Sequence, residues 1–435
     1  MLDEQLTTES NWTVDDDHKA DSPKADHSAT LREARQASLA GRTMRFVLRS
    51  AGNPAIEIVL WSGERISTSM REPIARLHVK DRSTLLKLFA HPDIEFGEAY
   101  SAGRIAVEGD LTGLIEEVYR GQRVTQRSNS TESPIEQRLR RSRSNTFSGA
   151  RDNIHHHYDI GNDFYALWLG ETMAYTCAYF STPTATLEQA QVAKMDHVCR
   201  KLRLRSGEVV VEAGCGWGSL ALHMARHYGV KVRAFNISHE QIAYAREQAK
   251  RQNLSGQVEF IEDDYRNIGS APNSRYDAFV SVGMLEHVGP RNFSDLGRLI
   301  NNCLTSSGRG FIHTIGRDRS TALNAWIEKR IFPGARPPSL KEMMDIFEAA
   351  DCSVLDVENL RLHYSKTLQA WRANFERTTD RAAKMFDEKF VRMWRLYLAG
   401  SEAAFNTGEM QLFQVLFAPR VNNEIAWTRD DIYQY

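Results

Sequence analysis

The sequence predicts an α/β fold, in which a parallel sheet carries helices on both faces, preceded by a smaller α+β domain. From about residue 150, short apolar strands alternate with amphipathic helices, a pattern typical of parallel sheets. The first of these strands ends in a glycine-rich loop that opens a helix. The 435 residues exceed one typical domain, so a second folded unit is expected.

The composition is that of an ordinary globular protein. The chain is 42% hydrophobic and 26% charged, with a net charge of −1. This balance favours neither a nucleic-acid partner nor bulk attraction to a membrane. No apolar run approaches the roughly 20 residues of a membrane-spanning helix, and the acidic N-terminus is unlike a secretory signal. The five cysteines are scattered without a CxxC pair, which indicates a reducing cytoplasm and no zinc site.

The N-terminal third predicts a tail and a small domain. Residues 1–36 are rich in Asp, Glu, Ser and Thr, and we expect them to be disordered. Residues 37–120 should form the α+β domain, which shows no catalytic constellation. Its expected strands are Met44–Leu48 and Ala55–Leu60, and its expected helices are Ser83–Phe89 and Leu111–Val118.

Residues 121–150 read as a linker rich in Arg and Ser. Four of its arginines form a cluster, Arg138, Arg140, Arg141 and Arg143. They indicate either a solvated connector or a patch that contacts phosphate groups, worth roughly 1 kcal/mol per basic residue near an anionic surface.

The remaining segment, 151–425, should hold the larger sheet. Its expected strands are Val209–Glu212, Lys231–Phe235, Val258–Ile261, Ala278–Val282 and Phe311–Ile315. After the first strand, Leu220, Ala221, Met224, Ala225 and Tyr228 mark one face of a helix.

The loop after the first strand predicts a cofactor site, because ligands of such sheets bind at the carboxyl ends of the strands. The tract is GxGxG rather than the GxGxxG of NAD-binding loops, and the second strand lacks the acid expected to bind an NAD ribose. It therefore favours S-adenosylmethionine and a Rossmann-like class I methyltransferase sheet. The expected contacts are Glu212, Gly214, Cys215, Gly216, Trp217 and Gly218.

Two later strand ends supply further cofactor candidates. Asn236 and Gln241 are placed to bond a ribose, although Gln241 also fits a capping box with Ser238. Tyr265 can stack on adenine while Asp264 accepts from its amino group; the alternative is an exposed acidic loop.

Five further segments together carry a resemblance to a known family. They are His157–Tyr165, Tyr175–Phe180, Ser281–Gly289, His313–Gly316 and Trp326–Gly334. The set resembles the cyclopropane fatty acid synthases, including the mycolic acid cyclopropane synthases, over roughly residues 150–420. The preceding domain resembles, more loosely, the N-terminal domain of the members that act on phospholipids.

The resemblance implies a reaction and its residues. S-adenosylmethionine would donate a one-carbon unit to the double bond of an unsaturated acyl chain of a membrane phospholipid, forming a cyclopropane ring. A bound bicarbonate would be the base. By the resemblance its ligands are Cys177, Glu286, His313, Ile315 and Tyr364, with Ile315 offering only backbone groups. Tyr175 and Thr176 would join the cofactor contacts.

The resemblance also implies partners. A cytoplasmic enzyme acting on phospholipids would associate peripherally with the inner face of the membrane, and the phospholipid-acting members suggest a homodimer. Tyr179, Phe180 and Trp326 would offer aromatic faces to a cationic intermediate.

Other interpretations remain open. The same chemistry would serve a C-methyltransferase that makes a methyl- or methylene-branched chain. A non-catalytic lipid-binding protein and a methyltransferase for small amines or hydroxyls are further alternatives. Taken alone, Cys177 fits a buried apolar position and His313 a satisfied core histidine.

Three positions depart from what the family suggests, and one run invites a metal. Glu212 stands where an Asp is usual, Ser401 where many members carry a Cys, and Arg336 is unusual beside the acyl site. The run His155–His157 lacks a second ligand cluster at suitable spacing, so we expect no metal.

Overall fold

Two sheets organise the protein. The computed structural model describes residues 38–128, 160–269 and 275–433. The expected tail, the arginine cluster Arg138–Arg143 and the run His155–His157 lie outside these ranges. Within the described ranges, no helix has the length and apolar composition needed to cross a membrane.

The smaller sheet has four strands in the order β2-β1-β3-β4. The strands are β1 (Ile56–Leu60), β2 (Arg65–Ile66), β3 (Ala75–Val79) and β4 (Ile105–Gly109). Its helices are α1 (Leu39–Ser50), α2 (Arg82–Ala90), α3 (Pro92–Ser101) and α4 (Leu111–Ser128). β1 and β3 run parallel, and the two outer pairs are antiparallel. Every other residue of β1 and β3 is buried, as expected for strands with one covered face.

Two sequence predictions in this region are wrong. Met44–Leu48 lies within helix α1, where Ser38 caps the first turn by accepting from the Gly41 amide. Met44 and Leu48, four residues apart, share the buried face, so the apolar run follows the helical period. Helix α4 continues to Ser128, so the first residues of the expected linker are helical.

The larger sheet has seven strands in the order β10-β11-β9-β8-β5-β6-β7. They are β5 (Val209–Ala213), β6 (Lys231–Asn236), β7 (Val258–Glu262), β8 (Tyr276–Val282), β9 (Leu304–Gly316), β10 (Cys352–Asn359) and β11 (Gln411–Pro419). The α/β prediction is confirmed, and all five predicted strands are present. The sheet is mixed rather than wholly parallel, because β11 runs antiparallel between β9 and β10.

Helices cover both faces of this sheet. They are α5 (Asn162–Ala166), α6 (Leu187–Lys201), α7 (Ser219–Tyr228), α8 (His239–Arg251), α9 (Leu285–Val288), α10 (Phe293–Cys303), α11 (Ala325–Arg330), α12 (Leu340–Ala349), α13 (Arg361–Glu376), α14 (Thr379–Met385), α15 (Glu388–Thr407) and α16 (Asp430–Tyr433). The neighbours Val210 and Val211 on β5 belong to separate hydrophobic clusters, one on each face. This arrangement leaves the carboxyl ends of the parallel strands for a site.

The helices of the smaller sheet pack on α11 and α15. The side chain of Arg330 pairs with Glu98 at 2.7 Å, and Arg392 donates to the carbonyl oxygen of Ser101 at 2.9 Å. A methyl group on Gly97 would lie 2.4 Å from the Trp326 ring, so only glycine allows this approach. The two units therefore share a close-packed contact.

Candidate active site

The glycine loop leaves one open position at the end of β5. Gly214, Gly216 and Gly218 all have positive φ. A side chain on Gly214 or Gly218 would meet Met284 or Phe260 at 2.9 and 2.6 Å, whereas one on Gly216 would meet nothing within 4 Å. Gly214 and Gly218 thus allow neighbouring side chains to pack closely against the loop, whereas Gly216 faces space that a ligand can fill.

Asn236 and Gln241 converge on this loop. Asn236 Nδ2 donates to Gln241 Oε1 at 2.7 Å and to the Gly216 carbonyl oxygen at 3.3 Å. Ser238 caps helix α8 by accepting from the Gln241 amide at 3.4 Å. The Gln241 side chain therefore bonds Asn236 and does not complete a capping box, so both side chains are held beside Gly216.

Asp264 and Tyr265 follow β7 and lie beside Arg266. Asp264 accepts from the Arg266 amide at 2.9 Å, and its carboxylate pairs with the guanidinium at 3.2 Å. That guanidinium lies 5.5 Å from the centre of the Tyr265 ring, and burial raises the pKa of Tyr265 to about 12. Tyr265 therefore remains a neutral aromatic surface, while Asp264 is already engaged.

The segment Tyr175–Cys177 connects α6, α13 and α15. Thr176 accepts through its carbonyl from Gln191 at 2.9 Å and through its hydroxyl from Lys194 at 3.0 Å. The hydroxyls of Tyr175 and Tyr397 are 2.7 Å apart. A side chain on Gly283, directly after β8, would lie 2.9 Å from the Thr176 methyl. The segment therefore lies against the carboxyl end of the sheet.

Cys177 is fully buried within this segment. Its thiol donates to the Ala178 carbonyl oxygen at 3.2 Å, and burial raises the pKa of the thiol far above its ordinary value. A neutral thiol is a poor nucleophile, so Cys177 is suited to donating a hydrogen bond.

Glu286 contacts Ile315 directly. Its Oε1 accepts from the Ile315 amide at 2.5 Å, whereas its Oε2 is buried without a hydrogen-bond partner. Burial raises the pKa of Glu286 to about 7, against the lowering effect of the backbone hydrogen bonds. The carboxyl group is thus available in its protonated, donating form near neutral pH.

His313 lies on β9 opposite Gln414 of β11. Gln414 Nε2 is 3.2 Å from His313 Nδ1, and His313 Nε2 is buried without a partner. Burial, assisted by the charge of Lys194, holds the pKa of His313 well below its ordinary value. Because an amide nitrogen only donates, the neutral ring carries its proton on Nε2.

Tyr364 lies in the first turns of α13, with its ring 4.6 Å from Phe405 and 6.0 Å from Trp371. Thr367 of the same helix accepts from the Ala178 amide at 3.0 Å, which ties α13 to the segment containing Cys177. Helix α13, and Tyr364 with it, is thereby held next to the segment that contains Cys177.

The three aromatics predicted to face a cation have other surroundings. Tyr179 stacks between His197 and His363, with ring centres 4.2 and 4.9 Å away. Phe180 lies under the Lys366 ammonium, and Trp326 packs against Gly97.

Two of the three departing positions, Arg336 and Ser401, take no part through their side chains in the contacts described above. The Arg336 guanidinium pairs with Glu342 at 2.9 Å, while its amide donates to the Glu286 carbonyl oxygen at 2.7 Å. Ser401 lies on α15 and is partly exposed. Among the residues described, no cluster of His, Cys, Asp or Glu is suited to hold a metal ion.

Sequence reasoning missed several residues of this site. They are Gln191, Lys194, Tyr397 and Gln414. Gln191 and Lys194 are three apart on α6, beside the apolar Met195 and Val198, and a polar pair within an apolar helical face was the available signal. Tyr397 and Gln414 lie in elements that the sequence did not reveal.

Comparison with known proteins places this geometry in a family. The family model described as mycolic acid cyclopropane synthetase matches residues 146–415. The chain belongs to this cyclopropane synthase family. A second model, described as a domain of unknown function, matches residues 43–130. Cyclopropane synthases of this type are S-adenosylmethionine-dependent methyltransferases, and the family and enzyme class expected from the sequence are confirmed.

Relatives within the cyclopropane synthase family carry two kinds of name. A "probable fatty acid methyltransferase" of Pseudomonas putida is 36% identical over 87% of this chain and 96% of its own length. A tuberculostearic acid methyltransferase of Mycobacterium tuberculosis is 33% identical over 88% and 91%. The cyclopropane-fatty-acyl-phospholipid synthase of Escherichia coli K12 is 37% identical over 63% and 69%.

Solved structures of cyclopropane synthases share the fold. That of a cyclopropane synthase from Mycobacterium tuberculosis has a TM-score of 0.57 at 26% identity, covering 62% of this chain and 98% of its own. A mycolic acid cyclopropane synthase complexed with S-adenosylhomocysteine and CTAB gives 0.57 at 27% identity over 61% and 97%. The class I methyltransferase fold is thus confirmed.

Proposed function

We propose that this enzyme adds the methyl carbon of S-adenosylmethionine, as a methylene bridge, across the double bond of an unsaturated acyl chain of a phospholipid. The observation that supports it best is two buried polar atoms, Glu286 Oε2 and His313 Nε2, that have no hydrogen-bond partner among the described residues. The two side chains are connected through β9, because the amide of Ile315, two residues beyond His313, donates to Glu286. Buried polar atoms are normally satisfied, so an unsatisfied pair indicates a ligand.

The glycine loop fits S-adenosylmethionine. Gly216 faces open space, and the paired side chains of Asn236 and Gln241 lie beside it. When bound, S-adenosylmethionine supplies an electrophilic methyl group. An isolated alkene is a weak nucleophile with no acidic proton whose removal would activate it, so the protein must align the double bond with that methyl, which contributes roughly 7–11 kcal/mol.

The buried pair fits a small anion such as bicarbonate. A protonated Glu286 and a neutral His313 with its proton on Nε2 both donate. The Cys177 thiol, which donates to the Ala178 carbonyl oxygen in this structure, would rotate away from that oxygen to become a further donor. An anion in a buried site needs such fixed donors. Bicarbonate would supply the base that removes a proton once the methyl group has been transferred.

A second product is favoured by a specific observation. The two relatives described above that cover about nine-tenths of this chain are named fatty acid methyltransferases, whereas the Escherichia coli synthase matches 63% of it. The alternative function is therefore C-methylation, which gives a methyl- or methylene-branched chain through the same first step.

One experiment tests both products. Phospholipids from cells with and without the enzyme would be compared by mass spectrometry, with isotopically labelled methionine as the methyl source. We expect acyl chains heavier by one labelled CH₂ unit, and fragmentation separates a ring from a branch. A Gly216→Val variant is the control for dependence on the cofactor. Unchanged acyl chains would refute the proposed function.

We propose that the enzyme contacts an anionic phospholipid surface through helix α1. Leu39 and Phe46 are 75% and 70% exposed on its outer face. Arg42, Arg45 and Arg49 lie on the same side of the helix and form no ion pair with any residue in the described ranges. An apolar and basic outer face of this kind is typical of helices that lie in a membrane interface.

Vesicle co-sedimentation tests this contact. We expect binding to anionic vesicles at low salt, weakened by salt and by the double variant Arg42→Glu, Arg49→Glu. Arg298→Glu, an exposed position on α10, is the matched control that should bind normally. Equal binding by both variants, or none by the native enzyme, would contradict the role of α1.

A further inference from the structure

Lys194 is buried at the centre of the candidate site. It projects from α6 with 2% of its surface exposed, and its ammonium donates to the Thr176 hydroxyl at 3.0 Å. One turn earlier, Gln191 donates to the Thr176 carbonyl at 2.9 Å. One face of α6 thus binds Thr176 through both the carbonyl and the hydroxyl of that residue.

Charged and polar groups of three elements face this ammonium. Glu212 lies on β5 directly before the glycine loop, Cys177 lies in the segment that α6 holds, and Cys199 lies on α6 itself. From β9, His313 senses the charge of Lys194. The carboxylate atom Glu212 Oε2 is buried without a hydrogen-bond partner. Lys194 therefore bonds Thr176 directly and interacts electrostatically with Glu212, Cys177 and His313.

Burial disfavours the charged form of both Lys194 and Glu212. It lowers the pKa of Lys194 to about 8, while it raises the pKa of Glu212, which the ammonium in turn pulls down. A buried ammonium with a single hydrogen-bond acceptor among the described residues is costly, and an apolar residue of similar length would pack without that cost. Fold stability alone does not explain a lysine here.

We infer that Lys194 is a positioning residue, which holds Thr176 and its neighbours across the cofactor loop and presents a positive charge to Glu212. The inference rests on the proposed function, because Thr176 and Glu212 matter only if the loop binds S-adenosylmethionine. The ammonium fixes the Tyr175–Cys177 segment on one side of the cofactor loop. On the other side its charge opposes burial, which raises the pKa of Glu212 to about 8, and so favours the ionised form of Glu212 that can accept hydrogen bonds at the end of β5.

The first test compares Lys194→Met with Gln191→Leu. Both remove a donor to Thr176, but only the first removes charge. We expect Lys194→Met to weaken S-adenosylmethionine binding in calorimetry at least tenfold and to lower kcat by up to about 10²-fold, as a misplaced site does. Gln191→Leu should lower kcat without changing the pH profile of binding.

The second test is the pH profile of S-adenosylmethionine binding. In the native enzyme, affinity should fall as pH rises through about 8, because the ammonium that holds Thr176 loses its proton there; Glu212 loses its proton in the same range, and Lys194→Arg separates the two titrations. Lys194→Arg should keep affinity to higher pH, because a guanidinium stays charged. Thr176→Val, which removes the acceptor of the ammonium, should move the fall to lower pH. This variant keeps the test informative if Lys194→Met does not fold.

The outcomes separate the two proposals. A native pH profile in folded Lys194→Arg and Thr176→Val variants would overturn the role of Lys194. A native enzyme that binds S-adenosylmethionine with this pH dependence but leaves acyl chains unmodified would support that role and refute the proposed function.

Discussion

Replacing Glu286 by Gln should separate catalysis from stability. Gln keeps the shape and the oxygen that accepts from the Ile315 amide, but it can neither ionise nor donate as a carboxylic acid does. We expect turnover to fall by about 10²–10⁴-fold, the range for losing a general acid–base group or its support. S-adenosylmethionine affinity should change little, because Gly216 and Tyr265 are untouched.

The same variant should stabilise the fold at alkaline pH. Burial raises the pKa of Glu286 from 4.5 to about 7, so the folded state favours the protonated form. The stabilising contribution of that form is complete below pH 4.5 and is lost as pH rises through 7. At about 1.4 kcal/mol per pKa unit, the ionised carboxylate costs about 3 kcal/mol at pH 8 and about 1 kcal/mol at pH 5.

Denaturation of both proteins at pH 5 and pH 8 measures this difference. Glu286→Gln should gain more stability at pH 8 than at pH 5. Glu358→Gln is the control of opposite sign, because its neighbours His197 and Lys201 lower the pKa of Glu358 to about 2 and the variant should be destabilised at both values. A Glu286→Gln variant that loses stability equally at both values refutes the reasoning, and near-native turnover would remove Glu286 from the proposed chemistry.

Three further predictions follow from the geometry, and a fourth, the homodimer, from the family resemblance alone. Gly216→Val should abolish S-adenosylmethionine binding in calorimetry, because its side chain enters the space left for the ligand, and it should also lower the melting temperature, because a β-branched residue is strained at the φ of 54° of this position. Gly97→Val should separate α3 from α11, seen as faster amide exchange in α11, because of the close Trp326 ring. Burial raises the pKa of all five thiols, so iodoacetamide at pH 8 should modify the native enzyme slowly and Cys352, the one partly exposed, first. Light scattering should give a homodimer; a single 49.5 kDa particle would contradict it.

The sequence was most informative where one local pattern has one structural outcome. Val209–Glu212 followed by three alternating glycines predicts a buried strand and a tight loop, and the structure has both. Met44–Leu48 was mispredicted as a strand because a run of five apolar and basic residues fits both the strand period and the helical period. Only the cap at Ser38 and the burial of one face show that the segment is a helix. Short runs are decided by their surroundings.

The residues of the site that belong to sequence motifs could be predicted, but the residues that support them could not. Glu286 and Ile315 belong to separate motifs, and the structure joins them by a hydrogen bond. Lys194 looks like any lysine of a polar helix, because burial arises only when Thr176 and β5 pack against α6. Gln414 depends on the register of β11 against β9, which no local pattern encodes.

The position of β11 has a consequence for synthesis of the chain. β11 enters between β9 and β10, which precede it in sequence, and it brings Gln414 opposite His313. During translation both neighbours emerge first, each with an unpaired edge that can associate with other chains. The seven-stranded sheet is complete only after residue 419 has left the ribosome. A chain that stops before residue 411 lacks the hydrogen-bond donor to His313. It also leaves the facing edges of β9 and β10 without a strand to pair with. Nascent chains therefore depend on rapid completion, or on a chaperone, to avoid aggregation.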